Sequence, residues 1–180
     1  NHGGDTAEGR LHAKRIDELV PKLAGRWEHA FDLVQALVTQ AVHYNDCFEH
    51  ETVVAKMSLV ANYYTSLGSL FHDAYPEVFP EDVRSDLCGR ALGTKVQAQA
   101  FLLLAGETSI DSARESSDEA IRQFSHESDR KRQYQYRSEL EAVGGFWECA
   151  REYLAKGMGS DKSDHHSLGK VINSLDEEAR

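Results

Sequence analysis

A chain of 180 residues with a formal charge of −10 is long enough to bury one full core, and it repels nucleic-acid phosphates except where a local basic patch overrides the field. Three scattered cysteines, Cys47, Cys88 and Cys149, with no Cys-x-x-Cys pair, suit thiols kept reduced inside a cell and give no zinc-ligand pattern. No apolar run approaches the ~20 residues that span a bilayer, so a soluble, intracellular protein, nuclear or cytoplasmic, is expected, with no membrane partner.

Apolar residues recur at three- and four-residue steps along nearly the whole chain, and alternating β-branched runs are missing. The expected class is all-α, an antiparallel helical bundle or stacked helical hairpins of about six to eight helices. Residues 1–10 are polar and read as a flexible lead-in; residues 11–157 form the helical core domain. Residues 158–180 form a hinge and a terminal amphipathic helix.

In chain order, Leu11, Ile16, Leu19 and Val20 begin a first helix, which Pro21 ends unless it opens the next. Leu23, Trp27, Phe31, Val34, Leu37, Val38 and Ala41 draw the stripe of a second. Val53, Met57, Val60, Ala61, Tyr64, Leu67 and Phe71 draw a third, antiparallel to it. Pro80, Glu81 and Asp82 open a short helix to about Cys88, its carboxylates favoured at the positive end of the helix dipole. Gly89 and Gly93 then bracket a turn, and Thr94 caps a helix carrying Val96, Phe101, Leu102 and Leu104 that stops at Gly106. Ser109 or Ser117 caps a polar helix containing Ile121 and Phe124, whose low apolar content also suits an exposed arm. Leu140, Val143, Phe146, Trp147, Ala150, Tyr153 and Leu154 form one last long helix. After a hinge from Gly157 to Ser163, Leu168, Val171, Ile172 and Leu175 give the terminal helix.

The chemical candidates fall in three places. His43, Asp46 and His50 stand at i, i+3 and i+7 with Glu49 alongside, one face of a helix able to hold a metal if that helix is continuous. The polar run Asn45, Asp46 and Cys47 reads better as an interhelix turn whose Asn or Asp caps the next helix, which would scatter those groups. Asp161, Asp164, His165 and His166 offer a second, loop-borne set. In the stretch 129–137, Arg130, Lys131, Arg132 and Arg137 alternate with Tyr134 and Tyr136, cations for phosphates and rings for stacked bases. If Tyr136 shares a buried side with Leu140, those cations are instead a solvated face paired with Glu127, Asp129 or Glu139. No phosphate-cradling glycine loop, Gly-x-Ser-x-Gly elbow or His-Glu-x-x-His occurs, so neither catalysis nor a cofactor is expected.

Tyr64, Leu67, Gly68 and Phe71 copy the first-helix pattern of a tetratricopeptide repeat, but Pro80 falls where the second helix needs a small residue and no period near 34 recurs. Phe48-Glu49-His50-Glu51 leads into the helix from Val53 to Tyr64, and the segment from Val96 to Leu104 ends in Phe-Leu-Leu-Leu. Over residues 26–106 this order resembles the GANP-like scaffolds of the nuclear transcription-coupled mRNA-export complex. The upstream Arg-Ser-Ile-Arg-Gln-Asp-like stretch and the following winged-helix segment of that family have no counterpart. The resemblance implies a stacked-helix scaffold without catalysis that binds a PCI-domain protein and a small acidic protein.

The leading expectation is therefore a non-enzymatic scaffold that mediates protein-protein interaction through a few apolar anchors, with Tyr63, Val78, Phe79, Leu168 and Ile172 as candidates. The alternatives are a single-stranded nucleic-acid-binding module using the 129–137 stretch and a metal-dependent helical-bundle enzyme using His43, Asp46 and His50.

Overall fold

The computed structural model describes residues 7–23, 26, 29–74, 77, 80–124 and 126–158, with helical backbone alone for residues 23, 30, 31, 64–72 and 74. Among these residues the chain is all-α, with seven helices and no strand: α1 Ala7–Leu23, α2 Ala30–Asp46, α3 His50–Ala74, α4 Glu81–Leu104, α5 Ile110–Gln123, α6 Glu127–Val143 and α7 Trp147–Met158. Helix α4 is the axis of the bundle, packing against α2, α3, α5 and α6, while α7 lies on α6 and α1 on α2. His50 meets Phe101 and Ala61 meets Cys88, so α3 and α4 run antiparallel, as their short connection favours.

Two apolar clusters are built on α4. Val34, Ala41, Val53, Met57, Val60, Ala61, Leu87, Cys88, Ala91 and Ala98 fill the space shared with α2 and α3. Val96, Ala113 and Leu140 form a smaller cluster with α5 and α6. A polar latch fixes α1. The Nε2 of buried Gln40 donates to the Ala13 carbonyl at 2.7 Å and to Asp17 at 2.9 Å, while Lys56 of α3 donates to Asp17 at 2.6 Å and to the Gln40 Oε1 at 3.1 Å. Burial disfavours the Asp17 charge, but the bonds from Lys56 and Gln40 outweigh it and hold the carboxyl below its ordinary value.

Several boundaries differ from those the sequence suggests. Helix α1 begins at Ala7, inside the expected lead-in, and runs two residues past Pro21, so Pro21 closes α1 rather than opening α2. Leu23 belongs to α1, and α2 begins at Ala30. The expected break in α4 does not exist: Gly89 and Gly93 lie inside one helix of 24 residues. They serve close approach instead. A Cβ at Gly89 would lie 2.7 Å from Cε2 of Phe124, and one at Gly93 would lie 2.6 Å from both amide atoms of Gln133. Thr94 does not cap a helix but donates back to the Arg90 carbonyl at 3.0 Å.

Ser109 does cap α5, accepting from the Ser112 amide at 3.3 Å, and this helix is packed rather than an exposed arm. Its buried face is Ala113, Ser116, Ser117 and Ala120, small side chains that let α4 and α6 come near. The last long helix is in fact two. At the end of α6, Phe146 N–H bonds to the Glu141 carbonyl and Gly145 N–H to the Ala142 carbonyl, a Schellman stop with Gly145 at φ +80. Phe146 and Trp147, expected in the buried face, are exposed at this corner. Gly157 is buried at the end of α7 rather than opening a hinge. The terminal helix with Leu168 and Ile172, the set at Asp161 to His166, Trp27, and Val78 and Phe79 all lie outside the described residues.

Candidate functional site

The end of α2 carries the unusual backbone from which the site is built. Phe48 N–H bonds to the Asn45 carbonyl at 3.0 Å and Glu49 N–H to the Tyr44 carbonyl at 2.9 Å, the Schellman pattern that closes α4 at Gly106 and α6 at Gly145. At those two ends the left-handed position holds glycine. Here it holds Phe48, at φ +63, the one non-glycine residue with positive φ among those described. That conformation costs an L-residue roughly 1–2 kcal/mol. Nothing in the core compensates, since Phe48 is 82% exposed.

The backbone turn aims three rings along one surface. His50, first residue of α3, stacks on Phe101 of α4 with centroids 4.5 Å apart and planes within 4°, and Phe48 meets the His50 ring edge-on at 6.1 Å. The His50 Nδ1 lies 2.9 Å from Asn45 Oδ1, which fixes the ring. Burial disfavours the charged form of His50 and holds it below its ordinary pKa, against a smaller opposing effect of Glu107, which suits a ring that serves as an aromatic platform. Phe101 is half-exposed and Leu104 is 74% exposed. Together these groups line an open cleft of about 690 Å³ whose rim carries Glu49, Glu51 and Glu107. An apolar floor with an acidic rim is an arrangement for holding an apolar segment flanked by cations.

Of the expected protein-binding anchors, Tyr63 is half-buried and lines a separate apolar groove of about 150 Å³ with Val20, Leu33, Leu37 and Leu59. The metal candidates are not brought together. His43 Nε2 faces Cys47 Sγ at 3.7 Å, Asp46 is exposed, and His50 is engaged with Asn45 and Phe101. Among the described residues no group of three His, Cys, Asp or Glu side chains is placed to hold a metal ion. Asn45 and Asp46 belong to the last turn of α2, and the interhelix turn is Cys47, Phe48 and Glu49.

The 129–137 stretch is likewise divided by the fold. Arg137 is only 6% exposed and unavailable to a phosphate: its Nε donates to Glu141 at 2.6 Å, its Nη1 to Asp118 at 2.5 Å, and its guanidinium lies over the Tyr153 ring at 4.9 Å. Glu141, 1% exposed, also accepts from Arg114 at 2.6 Å, so one carboxylate ties α5 to α6. Arg130 donates to the Phe124 carbonyl at 2.9 Å and Lys131 pairs with Glu127 at 3.2 Å. Tyr134 faces Tyr153 at 6.2 Å and Tyr136 packs on the second core cluster. Arg132 alone of the set is an exposed cation without an ion pair among the described residues.

No protein-family model, no curated protein and no solved structure matches this chain. No helix among the described residues is long and apolar enough to cross a membrane. Phe48, Phe101 and Leu104 are absent from the sequence-derived anchors. Periodicity assigns Phe101 and Leu104 to a buried face, and the signal at Phe48, an aromatic where a helix stop takes glycine, is visible only once the end of α2 is known.

Proposed function

We propose that this chain is a non-enzymatic helical scaffold that binds a partner protein on the Phe48, His50 and Phe101 surface. The occupant is an apolar segment flanked by basic residues. Phe48 carries the reading: it is strained and exposed at once, and neither property helps the fold, whereas an exposed aromatic ring is the kind of anchor on which binding energy concentrates. The charge of the rim supplies the second half of the description, since Glu49, Glu51 and Glu107 favour a cationic flank and disfavour an acidic one. The two segments that resemble the GANP-like family, Phe48 to Glu51 and the end of Val96 to Leu104, border this cleft. On that extension the scaffold serves a nuclear mRNA-export complex, with a PCI-domain protein rather than the small acidic protein on this face.

The test is Phe48→Gly. Glycine removes the ring and relaxes the left-handed turn, so the variant should be more stable by about 0.5–1 kcal/mol, and any lost binding cannot be blamed on unfolding. Wild type and variant are immobilised side by side, and proteins retained from native extract are identified by mass spectrometry at low and high salt. At least one protein should be held by the wild type, released by salt and missing from the variant. Identical sets on both proteins would discard the reading.

A further inference from the structure

The apolar groove of about 150 Å³ between α1, α2 and α3 shares no residue with the Phe48 surface. Val20, Leu33, Leu37, Leu59 and Tyr63 line it, and Leu59 on its rim is 70% exposed. We propose that this groove is the seat of the chain's own terminal segment, residues 168–175, with Leu168 and Ile172 inserted into it. That segment lies beyond Met158, the last residue that the structure describes.

The lining fixes the chemistry of the occupant. Apart from Tyr63 every lining side chain is aliphatic, so a group that brought an unpaired donor or acceptor into the groove would lose its water without compensation. The space admits a pair of aliphatic side chains rather than a whole helix, and residues at i and i+4 of a helix present two such side chains about 6 Å apart. Leu168 and Ile172 have that spacing. Val171 and Leu175 widen the same stripe, while Lys170, Asn173 and Ser174 fall on the opposite side of it. Residues 159–167, by contrast, hold no apolar side chain and read as a tether.

The length of that tether and the place it starts from bring the segment to the groove. A Cβ at Gly157 would lie 3.0 Å from the Lys131 carbonyl oxygen, so α7 ends against the first turns of α6. Helix α6 meets α4 at Gln133 and Gly93, and Arg90, one turn earlier in α4, donates to Gln35 near the start of α2 at 2.9 Å. Leu33 and Leu37 flank Gln35 in the sequence, so the chain leaves α7 at the end of the bundle that holds the groove. Three steps between packed helices cover about 24–30 Å, and the stretch from Met158 to Leu168 spans up to about 33–36 Å when extended. The tether also favours this occupant over others: a linked segment is present at roughly millimolar effective concentration, whereas a second copy sets one formal charge of −10 against another.

NMR of the full chain tests the seat. Cross-relaxation is expected between the methyl groups of Leu37 and Leu59 and those of Leu168 and Ile172, unchanged by about tenfold dilution and confined to single molecules when labelled and unlabelled copies are mixed. Leu168→Ser combined with Ile172→Ser should abolish these contacts and shift the amides of Leu37, Leu59 and Tyr63 but not that of Phe48. In the other direction, Leu59→Ser, a change on the exposed rim, should shift the amides of residues 168–175. Contacts that cross between labelled and unlabelled copies would give the groove to a second copy and overturn the proposal. So would the absence of any contact from residues 168–175, or unmoved groove amides in the folded double variant. None of these results bears on the Phe48 surface.

Discussion

A single buried carboxylate, Glu141, holds two arginines, the buried Arg137 and the partly exposed Arg114. Removing it takes a charged hydrogen bond from each arginine while Arg137 keeps Asp118, so Glu141→Ala should cost about 1.5–3 kcal/mol in urea denaturation. The acid side of the stability curve carries the same interaction. Burial opposes ionisation of Glu141, but the bonds from Arg114 and Arg137 outweigh it and set the folded pKa below the unfolded one. The contribution is therefore complete above the ordinary carboxylate pKa and disappears as pH falls through the lowered value. Denaturation midpoints followed from neutral pH to about pH 3 should fall more steeply in the wild type than in Glu141→Gln, which has no carboxyl to titrate at that position.

At the scale of the helix, α4 illustrates how tertiary contact overrides local preference. Glycine in a helix interior costs about 1 kcal/mol relative to alanine, yet Gly89→Ala should destabilise the protein by about 1–3 kcal/mol in thermal denaturation, because the new methyl would press on the Phe124 ring. The sequence marks Gly89 and Gly93 as a turn for good local reasons; what it does not display is the ring and the amide occupying their missing side chains. Helix α3, by contrast, was legible from its stripe, since Val53, Met57, Val60 and Ala61 are the residues that the core takes. The α6 to α7 corner is hidden in the sequence because apolar spacing runs through Gly144 and Gly145 without a phase change, and α5 resembles an exposed arm although serine and alanine bury well where helices approach closely. The candidate site was least legible. Exposure of Phe101 and Leu104 is not written in their spacing, and what singles out Phe48 is a dihedral angle.

Across the whole molecule, the thiols report which contacts open together. Cys88 lies fully buried between α3 and α4, where burial pushes its thiol up to about 11, whereas Cys149 is exposed on α7. Maleimide labelling followed by mass spectrometry should modify Cys149 in the native protein and Cys88 only at the rate of global unfolding. Early modification of Cys88 would mean that α3 separates from α4 while the rest stays folded.

The first helix answers to different forces. Asp17, Lys56 and Gln40 join three helices through polar atoms at the margin of the bundle, where solvent ions and protons can compete for them. Acid or brine thus weakens the Asp17 and Lys56 half of this seam, while the uncharged bond from Gln40 to the Ala13 carbonyl, buried at 2.7 Å, keeps α1 seated on α2.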